Sequence, residues 1–222
     1  MTITLDLVKQ ALALGDFDGR SAQLKMAPIL RQNLRPSNSP GQPRVGSVLI
    51  LLYCLSDEVH LVLTRRRDDM RSHAGQISFP GGKQEPEESL ITTALRETEE
   101  EIGITPGQLT IVGDLTPLYI MPSDFEVHPF VAWHHDGQRP TFHPAPHEVA
   151  EIIEAPLTKL LNPSTRREEM WDLRGHNLLV PFFAIGPHKV WGATAMMMSE
   201  LLERVKTVSC DTICPRNETS DP

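Results

Sequence analysis

Runs of apolar residues and their spacing divide the chain into predicted strands and helices. Val45 to Leu55 is a nearly continuous apolar run that ends in Ser56-Asp57, a pattern that predicts a buried strand followed by a turn. The segment from His60 to Thr64 predicts the hairpin partner of that strand. Near the amino terminus, apolar residues at helical spacing between Leu5 and Leu14 predict a helix that ends at Gly15.

The same patterns predict further elements along the chain. Strands are predicted over 77–79, 109–118, 125–133, 149–154, 170–173 and 178–184, a helical turn over 158–161 and a carboxyl-terminal helix over 193–205. Another helix is predicted to begin near Pro86 and Glu87, because proline suits a first helical turn. It is predicted to end at Gly103, because glycine readily forms a left-handed cap. Strands that alternate with a few helices indicate the α/β class.

Length and proline content indicate one domain with extensions. The chain has 222 residues, and domains commonly have about 100–200. Residues 33–44 contain three prolines together with Ser, Asn and Gly, a composition typical of a linker. We therefore expect a helical extension and linker over 1–43, a main domain over 44–208 and a flexible tail over 209–222.

Charge and cysteine content restrict the partners. A net charge of −8 argues against nucleic-acid binding, which leaves a basic footprint. The three cysteines, Cys54, Cys210 and Cys214, are an odd number without a nearby pair of histidines, as expected of a reduced cytoplasmic protein. The chain has neither a basic, apolar leader pattern nor the roughly 18–20 apolar residues that span a bilayer. We expect a small-molecule substrate and no membrane partner; the sequence does not predict the oligomeric state.

A cluster of carboxylates follows within the predicted helix 86–103. Glu100 and Glu101 lie three and four positions after Glu97, so on a helix they share one face with it. Like charges placed in this way repel by about a few tenths of a kcal/mol per pair. Mg²⁺ and Mn²⁺ prefer carboxylate oxygens, so the cluster predicts a divalent cation site. The competing interpretation is a solvated acidic helix.

The segment that contains this cluster resembles the Nudix box, G-x5-E-x7-R-E-U-x-E-E-x-G-U, in which U is a bulky apolar residue. Its fixed positions are filled by Gly82, Glu88, Arg96, Glu97, Glu100, Glu101, Gly103 and Ile104. Thr98 stands where an aliphatic residue is usual, which is expected to weaken local packing slightly. The resemblance implies a Nudix fold, an α/β/α sandwich around a mixed sheet, and hydrolysis of a nucleoside diphosphate linked to another group.

The resemblance also implies roles for individual residues. Glu97, Glu100 and Glu101 are the implied ligands of Mg²⁺ or Mn²⁺, together with the main-chain carbonyl of Gly82. One of these three glutamates, or a loop glutamate such as Glu148, is the implied base for the attacking water. Glu88 and Arg96 are implied to form an ion pair that supports the box.

A second motif lies immediately upstream, between Val62 and Gly82. It resembles the signature L-L-T-x-R-[SA]-x3-R-x3-G-x3-F-P-G-G of coenzyme A diphosphatases within the Nudix family. The matching residues are Thr64, Arg66, Arg71, Gly75, Phe79, Pro80, Gly81 and Gly82, whereas Val62 replaces Leu and Arg67 replaces Ser or Ala. Arginine forks match phosphate oxygens, so Arg66 and Arg71 are predicted to bind substrate phosphate. His73 is predicted either to donate to a phosphate or to bond within its loop.

Three functions stay open at this point. The first is hydrolysis of coenzyme A or acyl-CoA to 4′-phosphopantetheine, or its acyl form, and adenosine 3′,5′-bisphosphate. The second is a Nudix hydrolase of ADP-ribose or another nucleoside diphosphate derivative, and the third is a non-catalytic module that senses a nucleotide. The complete glutamate set counts against the third function, since a binding module need not keep charges that repel. The upstream arginines favour the first function over the second.

Overall fold

A computed structural model describes residues 2–28, 41–70, 73–173 and 175–213. Within these ranges the helices are α1 (Leu5–Leu12), α2 (Gly19–Leu24), α3 (Leu90–Ile102), α4 (Leu157–Leu161) and α5 (Gly192–Ile213). The strands are β1 (Arg44–Leu55), β2 (Glu58–Arg66), β3 (Ile77–Ser78), β4 (Gly81–Lys83), β5 (Leu109–Asp114), β6 (Leu118–Ile120), β7 (Phe125–His134), β8 (Val149–Pro156), β9 (Arg166–Leu173), β10 (His176–Ile185) and β11 (His188–Trp191). No helix in these ranges is long and apolar enough to cross a membrane.

Strand β1 lies at the centre of a mixed sheet. Along one edge it pairs in parallel with β7. Along the other edge it pairs antiparallel with β4 through its first half, where Ser47 is opposite Gly82, and with β2 through its second half. Strands β3 and β8 pair with β2, and strands β5 and β6 pair with β7. Strands β9, β10 and β11 form a separate antiparallel sheet.

Both faces of β1 are buried. Ile50 and Leu52 belong to the same core as Leu201 of α5, whereas Leu49 and Leu51 belong to a core on the side of α3. A strand covered on both faces has no polar alternation, which accounts for the continuous apolar run in the sequence. The structure thus confirms the predicted α/β/α sandwich around a mixed sheet.

The amino-terminal helices belong to the core on the α5 side. Val8 and Met26 are fully buried there. The buried carboxylate of Glu200 in α5 accepts from the Gln23 side chain, at 2.8 Å, and from the main-chain N–H of Thr116. Because a buried charge is tolerated only when it is hydrogen-bonded, this network fixes α2 and the loop after β5 against α5.

Helix α3 begins later than the sequence predicts. The predicted start near Pro86 and Glu87 is wrong, since Glu87 has a left-handed φ of 65° and Ser89 is the N-cap, accepting from the N–H of Thr92. The predicted end is confirmed, because Gly103 forms the left-handed C-cap with φ 74°.

Other boundaries also differ from the predictions. The amino-terminal helix is confirmed but ends at Leu12, and the single strand predicted over 109–118 is two strands, β5 and β6. The carboxyl-terminal helix continues to Ile213, so the tail expected from residue 209 does not begin there. The short elements α2, β4 and β11 were missed because their sequences are too short to show a period. Most of the predicted linker, and Cys214, lie outside the described residues.

Candidate active site

Arg96 is the centre of an ion-pair network between α3 and the loop before it. Its guanidinium donates to Glu88 at 2.8 Å, to Glu97 at 2.9 Å and to Glu100 at 3.2 Å. It also donates to the carbonyl oxygen of Lys83 at 3.3 Å. The hydrogen bonds from Arg96 and from Thr93 hold the pKa of Glu88 at about 2, far below its usual value. These contacts support the predicted structural role of Glu88 and Arg96.

Glu97 lies directly against Gly82. A Cβ atom on Gly82 would be 2.2 Å from Oε1 of Glu97, so only glycine leaves room for the carboxylate. Burial raises the pKa of Glu97; the hydrogen bond from Arg96 opposes this shift, and the nearby carboxylates of Glu100 and Glu148 add to it. Strand β4 and helix α3 therefore meet at this carboxylate.

Glu101 is the most buried of the three box glutamates and is only 3 % exposed. Its carboxylate accepts a hydrogen bond of 3.2 Å from the hydroxyl of Thr64 on β2 and another from the main-chain N–H of Gly81. Burial, followed by the charge of Glu148, raises its pKa to about 8. Glu97 and Glu101 thus share a partly buried site in which burial and the nearby charge of Glu148 raise the pKa of both carboxyls.

The chemistry of this donor set fits a hard divalent cation. Several carboxylates and main-chain carbonyls in one place are the ligands that Mg²⁺ and Mn²⁺ prefer. In the described part of the chain, no three acidic, histidine or cysteine side chains form a ready-made ion site as they stand. Arg96 Nη1 instead contacts both Glu97 and Glu100, so a bound cation would compete with this arginine for the two carboxylates.

Arg66 and Glu148 extend the site from α3 to the neighbouring strands. Arg66, at the end of β2, forms an ion pair of 2.7 Å with Glu148, which directly precedes β8. The Nε–H of Arg66 is buried and has no hydrogen-bond partner among the described residues. The ladder between β2 and β8 places Arg66 opposite Val149, which fixes both side chains at one end of these strands.

Arg71 and His73 are the other two residues predicted to bind substrate. Arg71 lies outside the described residues. His73 is exposed, has a left-handed φ of 59° and pairs through Nδ1 with Gln76 in its own loop at 2.7 Å. Arg65 pairs with Asp68 and Glu151, and Arg67 pairs with Asp69, so neither arginine presents an unpaired charge.

Sequence reasoning missed the structural importance of residues 135–148, which connect β7 to β8. The N–H groups of His143 and Ala145 donate to the carbonyls of Ile102 and Glu101, each at 2.9 Å. These bonds draw the connection along the carboxyl end of α3 and bring Glu148 close to Glu101. The glycine at position 103 was an indirect indication of this contact, because a Cβ atom there would be 2.6 Å from Cβ of His143.

Two cavities lie away from the box helix. One, of about 390 Å³, lies beside β8, α4 and the turn between β10 and β11. The other, of about 450 Å³, lies among α4, β9 and α5. Neither is lined by a residue of α3, so the box carboxylates do not line either of these cavities.

An α/β/α sandwich with a glutamate-rich helix after a glycine loop defines a hydrolase of the Nudix class. The NUDIX domain family model matches residues 43–174. The chain is 35% identical over 196 residues to the Nudix hydrolase NudL of Photorhabdus laumondii, covering 88% of this chain and 99% of that one. It is 37% identical over 190 residues to NudL of Yersinia enterocolitica, covering 84% and 94%. The chain belongs to the Nudix family and is an enzyme, a Nudix hydrolase.

A solved structure shares the fold. A MutT/nudix family protein from Enterococcus faecalis superposes with a TM-score of 0.53, covering 93% of this chain and 76% of that chain. At 13% sequence identity, this likeness shows the fold alone. Enzymes of the family generally use divalent metal ions, which agrees with the donor set around Glu97 and Glu101.

Proposed function

We propose that this hydrolase cleaves the pyrophosphate of coenzyme A or an acyl-CoA. The products are 4′-phosphopantetheine, or its acyl form, and adenosine 3′,5′-bisphosphate. The observation that carries the proposal is the position of Arg66, a residue of the upstream signature. Its side chain reaches the carboxylate site through Glu148 and retains a buried Nε–H without a partner among the described residues. A phosphate oxygen is a suitable acceptor for such a donor.

In the proposed reaction, the acidic residues of the site hold the metal ion and activate the water. Glu97, Glu100, Glu101 and the carbonyl of Gly82 would hold Mg²⁺ or Mn²⁺. The bound cation would supply Lewis acidity toward the pyrophosphate and a water of lowered pKa. Glu148, or one of the box glutamates, accepts the proton of the attacking water.

Cationic side chains bind the substrate in this proposal. Arg66, and with it Arg71 and His73 from the following loop, contact phosphate groups of the substrate. Coenzyme A carries a ribose 3′-phosphate in addition to its pyrophosphate, so it offers more acceptors to these donors than ADP-ribose does. Arg96 does not bind substrate in this proposal. It remains paired with Glu88 and holds α3 to the loop before it, because its hydrogen bonds are already made within the box.

A substrate panel tests the proposal. The protein is incubated in ¹⁸O-labelled water with Mg²⁺ or Mn²⁺ and one of five substrates: coenzyme A, acetyl-CoA, dephospho-CoA, ADP-ribose or NADH. The products and their ¹⁸O content are identified by mass spectrometry. We expect coenzyme A and acetyl-CoA to give one labelled phosphomonoester each. Preferred cleavage of ADP-ribose or NADH would assign the enzyme to other nucleoside diphosphate derivatives. Release of free phosphate, or thioester cleavage with the pyrophosphate intact, would overturn the mechanism.

A further inference from the structure

The connection between β7 and β8, residues 135–148, is fixed near its first residues by a half-buried acid. Arg139 donates two hydrogen bonds of 2.7 Å to the carboxylate of Glu154 on β8, and the hydroxyl of Tyr53 donates to the same carboxylate. The guanidinium of Arg139 also lies over the ring of Phe142, 5.4 Å from its centre. Bidentate pairs of this kind fix direction as well as distance.

The middle of the connection follows the last turn of α3. The carbonyls of Glu101 and Ile102 belong to the group that a helix end leaves without internal partners. They accept from Ala145 and His143 of the connection. The connection is therefore an ordered arm whose path depends on α3, and its last residue, Glu148, arrives beside the box.

The exit of this arm is held by Arg67. The main-chain N–H of Arg67 donates to the carbonyl of Glu148 at 3.0 Å, and its Nη1 donates to the carbonyl of Pro146 at 2.8 Å. Asp69 accepts two further bonds from the same guanidinium, at 2.8 and 2.7 Å. The guanidinium is thus aimed by Asp69 at the turn that carries Glu148. Serine or alanine, the usual residue at this place in the signature, lacks the length of side chain for such a bond.

We propose that Arg67 is a positioning residue that holds the turn 145–148 through the carbonyl of Pro146 and so fixes the carboxylate of Glu148 beside Arg66. The inference rests on the proposed function, in which Glu148 is a candidate base for the water. Three hydrogen bonds direct the guanidinium of Arg67 to Asp69 and to the carbonyl of Pro146, so we assign it a positioning role and not binding of substrate.

Steady-state kinetics with coenzyme A and Mg²⁺ test the positioning role. Arg67→Ala is expected to lower kcat by about three- to tenfold and to leave KM within about twofold, because displacement of a reacting group by a fraction of an ångström affects the chemical step. Arg67→Lys should recover most of the loss, since an ammonium can still donate to Pro146. The matched control is Arg65→Ala, which removes the arginine two positions earlier, whose partners are Asp68 and Glu151; its kcat should stay close to that of the parent protein.

Two further measurements separate positioning from other effects. In a Glu148→Gln background, Arg67→Ala should cause no additional loss of kcat, because both changes act through one carboxylate. Hydrogen exchange, which needs no substrate, should be at least about tenfold faster at the amides of Glu148 and Val149 in Arg67→Ala, and unchanged in β1. Both amides donate to the carbonyl of Ala145 in the parent protein.

The outcomes distinguish the inference from the proposed function. A rise in KM with unchanged kcat, a full additional loss in the Glu148→Gln background, or unchanged exchange at 148 and 149 would overturn the role of Arg67. Full activity of Glu148→Gln would show that turnover does not depend on the carboxylate that Arg67 holds, and would overturn the proposed effect of Arg67 on kcat. Absence of hydrolysis of every panel substrate by the parent protein would defeat the proposed function, and the exchange measurement would still decide whether Arg67 holds the turn.

Discussion

Three glycine-to-alanine variants are expected to separate a loss of turnover from a loss of folding stability. In Gly82→Ala the new Cβ atom would be 2.2 Å from Oε1 of Glu97, so the carboxylate must withdraw by about 1 Å or more to reach ordinary contact distance. The end of a glutamate side chain can move at little cost. We therefore expect the free energy of unfolding to change by less than about 1 kcal/mol. A ligand displaced by about 1 Å is expected to lower turnover about a hundredfold.

Gly46→Ala provides the opposite case. Its Cβ atom would be 2.1 Å from the main-chain oxygen of Gly82 and 2.7 Å from the ring of Phe125, and a main-chain oxygen cannot rotate away as the end of a side chain can. Overpacking of this kind costs about 1–3 kcal/mol or more, so Gly46→Ala should unfold at lower urea concentration. Gly107→Ala is the control, because nothing lies within 4 Å of its Cβ position, and both turnover and stability should match the parent protein.

Urea unfolding followed by circular dichroism, and turnover of coenzyme A with Mg²⁺, are measured on all three variants. Parent-like turnover of Gly82→Ala would refute the reasoning that Glu97 must stay against Gly82. A loss of stability in Gly82→Ala as large as that in Gly46→Ala would show that Glu97 cannot move aside, and would refute the distinction between the two sites.

The remaining predictions concern the box, substrate selection and acid stability. Glu101→Gln should lower turnover with Mg²⁺ by at least about a hundredfold with folding retained in circular dichroism; near-normal turnover would contradict its assignment as ligand or base. Arg66→Ala should lower the ratio of kcat/KM for coenzyme A to that for ADP-ribose, whereas Arg96→Ala should lower both values together; an unchanged ratio in Arg66→Ala would argue against its contact with coenzyme A. The pKa of Glu88, lowered from 4.5 to about 2, means that its contribution to stability is present above pH 4.5 and is lost as the pH falls toward 2. Urea unfolding of Glu88→Gln should accordingly show a smaller loss of stability over this range than the parent protein, and an equal loss would contradict the role of the Arg96 pair.

Residue spacing and apolar runs in the sequence predicted those features that depend on residues close together in the chain. The box is one continuous segment from Gly82 to Ile104, and Glu97, Glu100 and Glu101 lie on one helix of it, so their spacing alone placed the carboxylates on a common face. The central strand β1 was equally clear, because burial on both faces leaves an uninterrupted apolar run. The break between β5 and β6 was not visible, since Leu115 is apolar and buried although it belongs to neither strand.

The hydrogen-bond partner of a buried polar side chain also escaped prediction. Thr98 was expected to weaken packing in place of an aliphatic residue, yet it is fully buried and its hydroxyl donates to the carbonyl of Ala94 at 2.7 Å. This bond avoids the cost of an unpaired polar atom in the core. No sequence pattern reports whether such a partner exists.

The meeting of Arg66 with Glu148 bears on how substrate choice and catalysis are divided. The box supplies the carboxylates from one continuous segment, and Arg96 keeps that segment in shape through contacts made entirely within it and with Lys83. Arg66 ends β2 and Glu148 directly precedes β8, so their ion pair depends on the ladder between these strands and on the arm along α3. Under the proposed function, changes in these strands are expected to alter which phosphate groups are bound and to leave Glu97, Glu100 and Glu101 in place. Under the proposed function, selectivity for coenzyme A resides in the residues around the box, and variants of β2 and of the arm are the ones that should shift it.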